Sequence, residues 1–347
     1  MYMICEMFIN CILFLERMLR KNIVLFSVTN FCNARCKFCS FWKTKKVVFP
    51  KEEEIERIIM KIKYELNCGF LHITGGEPLT YPYIFKLIET ANKQGMIVQL
   101  MTNGSLLNKE RINMLEKAGL NFLGISFDHF DKQIFNKNRG LPSLEIIKRN
   151  MKYLKRSNIF VTAGITISKD NLNDLEKIVS YALKLGFDEA GFCLPLEKTD
   201  SSYKLGNKES DIVNISNEKM AEVIKNILKI KRKFAGRIYH QKQFLKDMLR
   251  YYSGKKQKFP CKGGKNIFYL DNNLVLYQCM KKSKKLGNIR SAINPFKNVK
   301  CYECPLQCFR EPSIYYSGFK SLFPILQLIM SSRRYLKKMG YKIKPLQ

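Results

Sequence analysis

Between residues 22 and 196 short apolar runs alternate with longer amphipathic ones, six times over, with a period of about thirty residues. The short runs are "NIVLFSV" (22–28), "FLHIT" (70–74), "MIVQLMT" (96–102), "NFLGISF" (121–127), "IFVTAGITI" (159–167) and "EAGFCLPL" (189–196). They are rich in β-branched and aromatic residues and read as buried strands. The intervening stretches 51–67, 81–94, 108–118, 143–156 and 171–185 read as helices. The first of these opens with Pro50 and three glutamates, the charge its N-terminal dipole favours. Strands that alternate with helices predict a parallel sheet with right-handed crossovers. Six units suit either an open doubly wound sheet or an incomplete barrel, and in both the chemistry belongs on loops at the strands' C-terminal ends.

Four unusual sequences fall on that rim. "FCNARCKFCSFW" (31–42) follows the first strand, Gly75-Gly76-Glu77-Pro78 the second, Asn103-Gly104 the third and Phe127-Asp128 the fourth. The first holds Cys32, Cys36 and Cys39, spaced C-x3-C-x2-C, with no fourth cysteine nearby. Structural zinc takes four protein ligands, usually as two pairs. A [4Fe–4S] cube fully held by protein takes four cysteines. Three ligands would leave one iron open, so this loop reads as a chemical site.

The cysteine triad with Phe38 before its third member, and the GGEP sequence after the second strand, together resemble the radical SAM superfamily over roughly residues 22–195. The resemblance implies an α/β fold, a partial (β/α)6 TIM-like barrel of the radical SAM type with a small C-terminal auxiliary-cluster module. It implies a [4Fe–4S] cluster on Cys32, Cys36 and Cys39 whose open iron chelates S-adenosylmethionine (SAM), and reductive cleavage of SAM to a 5′-deoxyadenosyl radical. Gly75, Gly76, Glu77 and Pro78 would then hold the methionine amino group, the glycines by allowing close backbone approach. Phe38 would pack near the adenine, and Asn103 and Ser126 fall where ribose and carboxylate contacts occur. Asp128 lies on the same rim, and Arg139 is a further candidate for the SAM carboxylate. Cys193, at the end of the sixth strand, is a candidate hydrogen-atom donor to a substrate radical.

A second group of cysteines lies near the C-terminus. Cys261 and Cys279 enclose a hairpin, "KNIFYLDNNLVLYQC", that turns at Asp271-Asn272-Asn273; Cys301, Cys304 and Cys308 follow. This arrangement resembles the SPASM or twitch modules that carry auxiliary clusters behind radical SAM barrels. A full SPASM module has seven cysteines and two clusters, whereas this segment has five, which suggests one auxiliary [4Fe–4S] cluster. Cys261, Cys279, Cys301 and Cys304 are its expected ligands, with Cys308 the spare or an alternative. Four thiolates would also satisfy zinc. The chain thus divides into an apolar N-terminal extension (1–21), a core barrel (22–196), a helical basic linker (197–260), the auxiliary module (261–310) and a basic amphipathic tail (311–347).

The formal net charge is +32, yet the lysines are dispersed and name no partner by themselves. Tight cysteine spacings favour metal over disulfides and a reducing, cytoplasmic compartment. The first twenty residues carry their positive charge after the apolar part, opposite to a secretory signal. The run 322–330 precedes Arg333, Arg334, Lys337 and Lys338, a pattern that suits either packing on the barrel or peripheral contact with a membrane. The expected substrate is a small molecule or peptide, and the expected electron source a low-potential donor such as ferredoxin or flavodoxin. An alternative is carbon–carbon bond formation or adenosyl transfer on an isoprenoid or other lipid. It is suggested by the tail and by "CYECPLQCFREP", which loosely resembles the C-terminal pattern of hopanoid adenosyltransferase-type enzymes. A basic zinc protein that binds nucleic acid would leave GGEP and the β/α rhythm unexplained. Of the histidines, His72 reads as core and His129 as a rim residue within reach of substrate. Cys5, Cys11 and Cys68 read as small apolar residues.

Overall fold

A computed structural model of the chain describes residues 21–196, 211–296, 299, 301, 302, 304–317 and 338. The N-terminal extension, Cys5 and Cys11, the start of the linker and the apolar part of the tail lie outside the described residues. Six parallel strands carry the core: β1 (Asn22–Thr29), β2 (Cys68–Gly75), β3 (Ile97–Thr102), β4 (Phe122–Ser126), β5 (Phe160–Thr166) and β6 (Glu189–Cys193). Helices α1 (Ile55–Tyr64), α2 (Ile84–Lys93), α3 (Lys109–Lys117), α4 (Lys132–Arg139), α5 (Leu144–Leu154) and α6 (Leu175–Leu185) make the crossovers. Each strand pairs in parallel with its predecessor, so the order β6-β5-β4-β3-β2-β1 is sequential. A sequential parallel sheet curls towards a barrel, whereas a doubly wound sheet reverses its order.

The strands show why the sheet curls. Successive strand residues face opposite sides, and Val24, Phe26, Leu71, Ile73, Val98, Leu100, Leu123 and Ile125 pack with the helices in one buried core. The other face presents Leu25, Phe70, His72, Gln99, Met101, Phe122, Ser126, Thr162, Thr166 and Glu189, all of which line a single cavity of about 490 Å³. Residues of all six strands can border one cavity only if the sheet wraps around it. The result is an open barrel with a mixed apolar and polar lumen.

The C-terminal segment joins this sheet. After α7 (Asn217–Lys233) and α8 (Lys242–Tyr252), β7 (Ile267–Leu270) pairs in parallel with β1, and β8 (Val275–Tyr277) and β9 (Lys285–Asn288) add antiparallel strands. The β7–β8 turn is the one expected at Asp271-Asn272-Asn273. The Asp271 carboxylate accepts the Asn273 and Val275 amides (both 2.9 Å), and Leu274 takes a φ of 64° to close it. Helix α9 (Gln307–Tyr315) then packs back on the strands. Among the described residues no helix is long and apolar enough to cross a membrane.

Candidate active site

The cysteine loop leaves β1 and is pinned on three sides. The Asn30 side chain donates to the Lys46 carbonyl and accepts from the Val48 amide (both 2.8 Å), which brings the loop's return limb beside its start. Within the loop the Trp42 indole N–H donates to the Cys36 carbonyl at 3.3 Å. The Lys37 amide donates to the Asn138 carbonyl (3.0 Å), tying the loop to α4. These bonds gather Cys32, Cys36 and Cys39 into one apolar cluster with Ala34, Phe38 and Val213. Burial pushes the Cys32 and Cys39 thiols up to about 12 and raises Cys36 as well.

The GGEP loop leaves β2 against the same segment. The Gly76 amide donates to the Thr29 carbonyl (2.9 Å) and the Glu77 amide to the Phe31 carbonyl (2.8 Å), so the two rim loops are stitched backbone to backbone. A Cβ at Gly76 would overlap the Phe31 carbonyl, and Gly75 sits at φ 129°. The close approach these glycines permit is therefore first to the cysteine loop itself. Pro78 is buried and opens the short helical turn that follows.

Glu77 is buried, and its carboxylate organises three segments. It accepts the Leu79 amide (3.1 Å), the Thr102 hydroxyl (2.7 Å) and the Asn103 amide (2.8 Å), which fixes the loop after β3 to the loop after β2. Burial raises its pKa against those three donors. The Asn103 side chain donates to the Asn33 side-chain carbonyl (2.9 Å) and accepts the Ser105 amide (2.9 Å), so it in turn grips the cysteine loop.

Arg139 ends α4, capped by Asp131 at the start and by Gly140 in the left-handed region (φ 61°) at the finish. Its Nε donates to Asp128 at 2.6 Å, while the other Asp128 oxygen accepts the Thr166 amide at 2.7 Å. The guanidinium lies over the Phe38 ring at 4.8 Å, with an Nη atom 3.9 Å from the Cys36 sulfur. Burial opposes its charge, but Asp128 and the Cys36 sulfur outweigh that and hold it protonated well above the usual range. Arg139, Phe38, Asn103 and Ser126 all line the cavity. Asp128 does not, and its carboxylate serves to position Arg139.

Cys193 lines the cavity as well, its thiol raised by burial and bonded to the Gln307 side chain. The five C-terminal cysteines separate into four and one. All five pack in the apolar cluster around β7 and β8, but Cys261, Cys279, Cys301 and Cys304 do not border the cavity. Cys308 does border it, with its sulfur 3.7 Å from the Met280 sulfur and the Cys193 sulfur among the groups that raise its thiol after burial.

The two strand and rim histidines exchange the places the sequence suggests. His72 faces the lumen, where its Nδ1 pairs with the Gln99 side-chain oxygen at 2.8 Å. His129 is buried away from it; its Nδ1 accepts the Asp131 amide at 2.9 Å and its ring stacks on Phe130. Alternation along β2 decides the first case, since His72 shares the face of Phe70 and Thr74. Cys68 is fully buried, as expected. Sequence reasoning missed Thr102 and Thr166, which complete the Glu77 and Arg139 networks, and the lumen residues Glu189, Tyr239, Glu311 and Tyr315. The Asp131 and Gly140 caps of α4 were a readable signal for the helix that delivers Arg139.

The donor set fits an iron–sulfur cluster with an open position. Three soft thiols share one buried spot with a guanidinium beside them to offset thiolate charge, and no disulfide joins any of the described cysteines. Among the described residues no three His, Cys, Asp or Glu side chains close on a single-ion position. A four-iron cube spaces its thiolates more widely than one ion does.

The chain is similar to known proteins in part of its sequence and in its fold. The family described as "Radical SAM superfamily" matches residues 26–182. The AdoMet-dependent heme synthase of Methanosarcina barkeri is 28% identical over 168 residues, 48% of this chain and 48% of that protein. The chain thus spans about half the length of the curated relatives it matches. Among solved structures, Streptococcus suis SuiB bound to S-adenosylmethionine superposes with a TM-score of 0.63 at 14% identity, covering 78% of this chain and 64% of that one. Native anSMEcpe with bound AdoMet and Cp18Cys peptide gives 0.60 at 18% identity, covering 92% and 96%. These likenesses are of fold.

Proposed function

Taking as premise that residues 26–182 are a radical SAM domain, we propose that this chain cleaves SAM reductively and abstracts a hydrogen atom from a peptide or small molecule held in the barrel lumen. Cys32, Cys36 and Cys39 would hold the catalytic [4Fe–4S] cluster, and Cys261, Cys279, Cys301 and Cys304 an auxiliary one. When bound, the catalytic cluster supplies the electron that splits the sulfonium C–S bond of SAM and frees a 5′-deoxyadenosyl radical.

The chain's own residues bind, orient and enclose. Gly75, Gly76 and Glu77, which border the cavity, present backbone to the methionine end, and Glu77 holds that loop rigid through its three hydrogen bonds. Arg139, fixed by Asp128, offers its guanidinium to a carboxylate on the side of Phe38. Asn103 and Ser126 border the space a nucleoside would take. Lumen walls of Leu25, Phe70, Met101 and Phe122 exclude water from a reactive radical, while Thr162, Glu189 and the His72–Gln99 pair give a substrate polar anchors. Cys193 stands where a hydrogen atom could be returned.

The observation that carries this reading is that the N-terminal cysteine loop and the segment that follows the C-terminal cysteines border one cavity. The cysteine and GGEP loops form part of its wall, and Met280, Cys308 and Glu311 of the C-terminal segment form another. A substrate in the lumen therefore lies between them. SuiB has been solved with its precursor peptide SuiA and anSMEcpe with a peptide, which supports a peptide as one substrate class for this fold. The lipid alternative rests on the tail, whose apolar part is outside the described residues, and on the sequence pattern of residues 301–312. Anaerobically reconstituted protein incubated with SAM and dithionite should release 5′-deoxyadenosine, and a substrate should accelerate that release. Absence of 5′-deoxyadenosine from protein with its full iron content would refute the reading.

A further inference from the structure

The lumen explains what the rim loops do inward; the outer surface of the cysteine loop is unexplained. From Phe31 to Lys51 the chain has six basic residues (Arg35, Lys37, Lys43, Lys45, Lys46 and Lys51) and no acidic one. The same stretch exposes Phe31 (42%), Trp42 (36%), Val47 (45%) and Phe49 (38%), four of the seven large hydrophobics exposed among the described residues. Asn30 clamps the return limb at Lys46 and Val48 against the start of the loop, so Phe31, Lys46 and Val47 share one neighbourhood. Arg35, Lys45 and Lys46 are exposed and make no ion pair among the described residues. Trp42, the chain's only tryptophan, joins this surface to the cluster site, since its exposed indole bonds the Cys36 carbonyl directly. Lys43 lies 5.6 Å from the centre of that ring.

We infer that the outer face of residues 31–49 is the docking surface for an acidic, low-potential electron-carrier protein. The inference rests on the reading of Cys32, Cys36 and Cys39 as cluster ligands. An electron must reach the thiolates from outside, and the loop that bears them carries this exposed face, with Trp42 bonded to the Cys36 carbonyl. A carrier that must bind, transfer and leave suits a small apolar patch ringed by one sign of charge, because steering speeds encounter without a tight complex. Apolar contact at Trp42 and Val47 would set the approach, and Lys45 and Lys46 would orient a carrier of opposite charge. The step itself is a single electron passing from reduced carrier to oxidised cluster, with no atom transferred.

The test uses reconstituted holoenzyme and a purified flavodoxin, in the absence of oxygen. Binding is measured by calorimetry, and reduction of the cluster by stopped-flow absorbance with flavodoxin hydroquinone or with dithionite. The variant Lys45→Glu/Lys46→Glu should weaken flavodoxin binding about tenfold or more at low ionic strength. The difference should shrink as salt shortens the Debye length to about 8 Å. Dithionite reduction and iron content should match the parent protein. Lys225→Glu/Lys229→Glu, the same charge change on exposed residues of α7, should leave flavodoxin binding intact. Unchanged flavodoxin affinity in the loop variant, with dithionite reduction intact, would overturn the docking surface. So would single-stranded RNA binding as tightly as flavodoxin and losing affinity in the same variant. Failure of dithionite to reduce any cluster held by the N-terminal cysteines would instead overturn the reading beneath it.

Discussion

Gly76→Ala isolates the junction between the two rim loops. The added methyl would overlap the Phe31 carbonyl, and the neighbours there are backbone atoms with little freedom to yield. Relief requires the GGEP loop to lift, which lengthens the Gly76 to Thr29 and Glu77 to Phe31 hydrogen bonds, now 2.9 and 2.8 Å. At about 1 kcal/mol each, their loss amounts to about 2 kcal/mol. If SAM binds only when the loops are docked, that corresponds to a Kd raised about 30-fold. Global stability should fall too, by roughly 3 °C in melting temperature for a chain of this length. The cysteines are untouched, so iron content and the cluster absorption should stay at the parent level. Gly95→Ala provides the contrast: Gly95 has φ 69° but nothing within 4 Å of a Cβ. It should cost stability of about 1–2 kcal/mol through backbone strain alone and leave SAM affinity unchanged. Parental SAM affinity and melting temperature in Gly76→Ala would refute the claim that this junction builds the cofactor site.

Removing the carboxylate in Asp128→Ala leaves the Arg139 guanidinium buried without its partner, and should cost about 3–5 kcal/mol in denaturant unfolding; a loss under about 1 kcal/mol would mean Asp128 does not position Arg139. Burial in the lumen lowers the His72 pKa below its ordinary 6.5. The unfolded chain therefore binds the proton first, and this contribution to stability is complete above pH 6.5 and is lost as pH falls towards the folded-state value, with a slope of at most about 1.4 kcal/mol per pH unit. His72→Gln should flatten that part of the stability profile between pH 8 and 5. Cys308→Ala should keep the auxiliary iron, whereas Cys304→Ala should lose it; equal loss from both would make Cys308 a ligand.

The parts of this fold that were legible are those written into local pattern. Six apolar runs flanked by amphipathic helices placed every core strand, and alternation along them followed from the pleat alone. The rim loops were legible because glycine pairs and clustered cysteines have few other uses. Helix α4 was harder, since "KQIFNKNR" presents only Ile134 and Phe135 as apolar residues and hides its identity in the Asp131 and Gly140 caps. The pairing of β7 with β1 spans more than two hundred residues and leaves no periodic trace. For the same reason the hydroxyls of Thr102 and Thr166 carry no signal of the charged groups they satisfy. His72 and His129 show the limit at single positions: which face a side chain takes depends on where the sheet closes.

The central claim is that the open-sited cluster on Cys32, Cys36 and Cys39 performs the chemistry while the C-terminal cysteines hold a second cluster. The direct measurement is iron content and 5′-deoxyadenosine release in the variant with all three of those cysteines changed to alanine. The parent should carry about eight irons per chain, as two four-iron clusters require. The variant should keep about four of them and release no 5′-deoxyadenosine from SAM under dithionite. Undiminished release from the variant would contradict the account.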